Sequence, residues 1–84
     1  LLENAKEDLK ANRIRMQNGV AQMAAVSERL KRQIGDGERR KQDLEGRVMV
    51  MYNAGKEDLA AELAEQLQQV ENDLAENRAE FDHN

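Results

Sequence analysis

The chain has no proline, no cysteine and no tryptophan, and its 84 residues include one tyrosine and one phenylalanine. Without cysteine there is neither a disulfide nor a thiolate zinc site, which fits a reducing compartment. A globular core needs aromatic and branched bulk on several faces, and this composition lacks it; the length admits one domain at most. No run approaches the roughly 20 apolar residues of a membrane span. Leu1-Leu2 leads at once into Glu3, Lys6, Glu7 and Asp8, which is not the pattern of a signal peptide. A start at Leu-Leu rather than Met reads as a fragment of a longer protein.

What the chain does hold is charge, 36% of its residues, together with abundant Ala, Glu, Lys, Leu, Arg and Gln. That is the composition of long helices. High charge and low hydrophobicity also suit a disordered chain, but the apolar residues are spaced too regularly for a solvated tail. Every seventh position from Leu2 reads Leu2, Leu9, Met16, Met23, Leu30, Gly37, Leu44, Met51. A stripe of this period is a helix that buries a narrow seam against another helix. The companion positions Lys6, Arg13, Val20, Ser27, Ile34, Lys41 and Val48 alternate between polar and apolar, so the seam is specific in register rather than tightly apolar.

Gly19, Gly35, Gly37 and Gly46 fall within this helix, each unfavourable by about 1 kcal/mol relative to alanine. A break at Gly35-Asp36-Gly37 would give a bundle of three helices over residues 2–34, 38–53 and 57–82. Leu30, Gly37 and Leu44 keep phase across the step, however, and a loop has no reason to preserve phase, so one continuous helix is expected. Val48–Tyr52 is apolar enough for a strand, yet no partner strand exists, and the segment is read as an apolar helix end covered on more than one side near the hairpin tip. Ala54-Gly55-Lys56 then forms a turn. Gly55 suits the left-handed residue that closes a helix, and Glu57 and Asp58 suit the positive end of the next helix. A second stripe follows: Ala60, Leu63, Leu67, Val70, Leu74, Phe81.

The expected fold is therefore all-α: a long antiparallel two-helix coiled-coil hairpin with unequal arms, its helices over about 2–53 and 57–82 with the turn at 54–56. Charge supports the pairing. Residues 1–55 carry eleven Lys/Arg against eight Asp/Glu, and residues 56–84 carry two against nine. On this basis the basic cluster Arg29, Lys31, Arg32, Arg39, Arg40, Lys41 and Arg47 is expected to face the acidic second helix, with Arg40 near Gln69–Val70, Glu71 and Asp73. With the turn at Gly55, Asp82 lies opposite about Glu28, which leaves Leu2, Leu9, Met16 and Met23 without an intramolecular partner. A stripe that long calls for another chain or a continuation of the second helix, and self-association as at least a dimer is expected, most simply an antiparallel one through the free arms.

The residues of the turn, Ala54-Gly55-Lys56-Glu57-Asp58-Leu59-Ala60, preceded by apolar Val48–Tyr52 and followed by Leu63 and an acidic, Gln-rich helix, resemble the hairpin tip of the phage shock protein A family. That family includes the vesicle-inducing protein of plastids and belongs to the bacterial branch of the ESCRT-III superfamily. The resemblance covers about a dozen residues, and Lys41–Arg47 lacks the tryptophan that many members carry. It implies a membrane-stress scaffold at the cytoplasmic face of the inner membrane, peripheral to it. Such a scaffold self-assembles and restrains an AAA+ transcriptional activator. It would contact anionic membrane lipids through an N-terminal helix preceding residue 1. By this resemblance the tip is a partner-contact region, with Val48, Met51, Tyr52, Leu59 and Leu63 as candidates.

Chemistry is not indicated. Ser27 and His83 are the only serine and histidine, far apart in sequence, and no glycine-rich phosphate loop follows a strand. Glu57 and Asp58 are explained by the helix N-terminus. No catalytic, metal or cofactor residue is expected, and the chain is not read as an enzyme. Nucleic acid is disfavoured as a partner, because acids interrupt the basic cluster and no aromatic is present for stacking. The competing reading is a structural coiled-coil spacer or dimerisation arm of a larger protein.

Overall fold

A computed structural model describes residues 2–83 and contains two helices, α1 (Leu2–Asn53) and α2 (Glu57–His83), joined by a tight turn. The molecule is a rod with principal extents of 80 × 15 × 14 Å. At 1.5 Å per residue, 52 residues of unbroken helix account for about 78 Å of that length. The Gly35-Asp36-Gly37 step does not interrupt α1.

The turn is a glycine-closed helix end. Gly55 has φ of 74°, the left-handed region that only glycine enters without strain. Its N–H donates to the Tyr52 carbonyl at 3.0 Å, and the Lys56 N–H donates to the Met51 carbonyl at 2.9 Å. This pair of bonds is the Schellman pattern, which satisfies carbonyls that the end of α1 would otherwise leave free. The Ala60 N–H then donates to the Lys56 carbonyl at 3.0 Å, opening α2 with Glu57 and Asp58 in its first turn.

The seam follows the heptad. On α1 the buried and half-buried positions include Ser27, Leu30, Ile34, Gly37, Lys41, Leu44, Val48 and Met51, alternating three and four residues apart, with Val26, Gly35 and Glu38 half-buried beside them. On α2 they are Ala60, Leu63, Leu67, Val70, Leu74, Asn77 and Phe81 in the same rhythm, with Glu71 half-buried at its flank. Asn77 occupies a step that an apolar count passes over. Leu30, Leu44, Ala60 and Leu74 form the fully buried core. Register is fixed midway along: a Cβ built on Gly37 would lie 2.6 Å from Leu74 Cδ2, so the leucine occupies the space a side chain would take. Extended antiparallel from that contact, the register sets Leu44 level with Leu67, Met51 with Ala60, and Leu30 with Phe81.

The charge asymmetry does not translate into cross-helix pairs of the expected sense. Among the described residues the interhelical ion pair is Arg78 with Glu38, which joins the one arginine of the acidic helix to an acid of the basic one. Four cations of α1 pair within their own helix: Lys31 with Glu28, Arg39 with Asp36, and Arg40 and Arg47 with Asp43. Arg40 reaches across to Gln66 Oε1 at 3.4 Å, not to Glu71 or Asp73. The reason is distance along the chain, since an acid three or four residues away sits on the same helix face before any folding occurs.

Candidate functional site

Two surfaces remain apolar and uncovered. The first is the free arm of α1. Every side chain from Leu2 to Ala25 is exposed, because α2 reaches no further than the level of Val26 and Ser27. Leu2 is 71% exposed, Leu9 66%, Met16 71%, Val20 67% and Met23 54%. Together with Arg13, Gln17, Ala21 and Ala24, the Met16 and Val20 side chains line a shallow apolar trough on this arm. The four self-association candidates Leu2, Leu9, Met16 and Met23 thus all lie on the open continuation of the seam.

The second surface is the tip. Of the partner-contact candidates, Val48, Met51 and Leu63 are half-buried in the seam, where they close the hairpin. Tyr52 and Leu59 are exposed, and Met49 and Val50 join them. The heptad pattern did not single out these last two, since they stand on the outer side of the helix. The signal was present in the unbroken apolar run 48–52: five consecutive apolar residues go round more than one helix face, and a single seam cannot cover them all. The turn residues Ala54, Gly55, Lys56, Glu57 and Asp58 are themselves exposed at the end of the rod.

Between the helices runs a groove lined by Gln33, Asp36, Gly37 and Arg40 of α1 and by Val70, Asp73, Leu74 and Asn77 of α2. Asp73 of its α2 wall belongs to an exposed row along that helix, Leu59, Gln66, Asp73 and Glu80, at seven-residue intervals, with the tip leucine at one end and acids toward the other. Of its polar groups, Asp36 pairs with Arg39, Arg40 with Asp43 and Gln66, and Asp73 accepts from Gln69 Nε2 at 3.0 Å. Among the described residues no cluster of His, Asp or Glu suits a metal ion, and no helix is long and apolar enough to cross a membrane. The arrangement offers apolar docking faces on a rigid rod. No family model matches the sequence, and no curated protein or solved structure matches the chain.

Proposed function

We propose that this chain is a non-catalytic scaffold hairpin that self-associates and binds protein partners. The supporting observation is the turn at Gly55: it folds α2 back over only part of α1 and leaves an apolar arm and an apolar tip exposed at opposite ends of one rod. In a monomer, patches of this kind mark interaction sites. The turn sequence favours the phage-shock type of scaffold, acting at the cytoplasmic face of the inner membrane as a homo-oligomer. Its protein partner would be an AAA+ activator gripped at the tip through Tyr52 and Leu59. Contact with anionic lipid would belong to another segment of such a protein.

The discriminating experiment adds the purified hairpin to the AAA+ domain of a phage-shock activator and follows ATP hydrolysis. The scaffold reading expects inhibition that Tyr52→Lys with Leu59→Lys abolishes while helicity is unchanged. Hydrolysis indifferent to the wild-type hairpin would favour the second reading, a coiled-coil spacer of a larger protein. That reading is supported by the same heptad seam and needs no partner at the tip.

A further inference from the structure

The two uncovered patches lie at opposite ends of the rod, and their charges differ. From Leu9 to Ser27 the arm carries Lys10, Arg13 and Arg15 and no acid. From Glu57 to Glu80 helix α2 carries eight acids, against Arg78 alone. Intramolecular ion pairs leave this imbalance almost untouched, since the cross-helix pair of Arg78 with Glu38 runs in the opposite sense. Glu3, Glu7 and Asp8 accompany Lys6 at the very start of the arm, so the arm is apolar and basic over residues 9–27 only. That stretch and a groove that is acidic along α2 are complementary, but within one molecule they cannot meet. The seam stripe of the arm is also continuous in phase with the part of α1 that α2 covers, so the arm presents the face that already packs against a helix elsewhere.

Resting on the self-association reading above, we propose that a second copy binds antiparallel along the whole of α1 and lays its free arm in the groove between α1 and α2. The dimer would then have three helices at every level. In this arrangement Leu9 of one copy comes level with Val48 of the other, which places the two-fold axis near Glu28. Met16 comes level with Lys41 and Val70, and Met23 with Ile34 and Asn77. The start of the arm covers Val50 and Leu59 at the partner's tip. Lys10 lies within a turn of Glu62 and Arg13 beside Gln66 of the partner's α2, where Lys10 and Glu62 attract, while Asp73 comes level with Gly19. Arg40 and Arg47 on the facing wall are both engaged by Asp43, which lessens their repulsion of the incoming arm. The alternative pairing of arm against arm over residues 2–27 would have its axis near Ile14. It would bring Arg13 and Arg15 of both copies together and leave both tips uncovered.

The test uses the full chain with a single spin label, at Glu28 in one preparation and at Ala11 in another, with distances measured between copies. The proposed dimer gives less than about 25 Å at position 28 and about 50 Å at position 11, from 1.5 Å of rise per residue on either side of the axis. A short distance at position 11 with about 40 Å at position 28 would overturn the proposal in favour of arm-against-arm pairing. Short distances at both positions would overturn it in favour of a parallel dimer; in either case self-association itself would stand. A chain that sediments as a monomer with no dipolar coupling would overturn both the proposal and the self-association reading. As a second arm of the test, Lys10→Glu with Arg13→Glu should raise the dimer dissociation constant at least about tenfold without changing hairpin helicity. An unchanged constant would remove the charge basis of the proposal.

Discussion

Glycine at one position in α1 is a packing device, and at another it is only a weakness. Gly37 stands where the heptad asks for an apolar residue, and Leu74 fills its space from across the seam. Gly37→Ala would force the leucine aside, and overpacking of this kind typically destabilises by about 1–3 kcal/mol. Gly46 faces open space, with nothing within 4 Å of the point where a methyl group would sit. Gly46→Ala should therefore stabilise the hairpin by about 0.5–1 kcal/mol through helix propensity alone. Urea midpoints of the two variants should move in opposite directions from wild type. A shift of the same sign in both would mean that Gly37 is not the seat of Leu74. From sequence, both are soft points in a long helix, and the heptad stripe already sets Gly37, unlike Gly46, on the seam. Only the register sets Gly37 against a leucine.

At the scale of the elements, much was legible in advance. Leu30 and Leu44 recur in phase on α1 and Leu67 and Leu74 on α2, and phase alone identifies a seam. The end of α1 was legible because Gly55 is followed at once by Glu57 and Asp58, a stop beside a start. The ion pairs were not legible. Net charge per helix says nothing about which side chains share a flank, and the cations of α1 that pair within it, Lys31, Arg39, Arg40 and Arg47, do so with carboxylates of their own helix. Glu38 and Arg78 are 36% and 52% exposed, so solvent screens their attraction. A double-mutant cycle with Glu38→Ala and Arg78→Ala should give a coupling of about 0.2–1 kcal/mol. The turn is a sharper test. Gly55→Ala puts a Cβ into a left-handed conformation and should destabilise the hairpin by roughly 1–2 kcal/mol, read as a lower urea midpoint. No loss would mean that the chain does not need its left-handed residue to turn.

The whole molecule is a rod whose uncovered surfaces define what it can do. The arm was foreseen by counting residues back from the turn. The exposure of Met49 and Val50 was not, since the run 48–52 was expected to be covered on more than one side and the hairpin covers only its seam face. Scattering gives the dimer's shape directly. A single hairpin has a radius of gyration of 22.4 Å and a length of 80 Å. Full antiparallel overlap doubles the mass while keeping the maximum dimension near that length, whereas pairing by the arms alone would extend it to roughly 115 Å at 1.5 Å per residue.

All of these expectations require that the chain turns back at Gly55, so the most direct test labels both arms of one molecule. With spin labels at Glu28 and Asp82, both exposed, and excess unlabelled chain to suppress contacts between copies, the hairpin predicts a separation under about 25 Å, two neighbouring helices plus the label tethers. One unbroken helix through Gly55 would instead place the labels about 80 Å apart, from 54 residues at 1.5 Å each. That distance would contradict the hairpin and leave the coiled-coil spacer as the account of this chain.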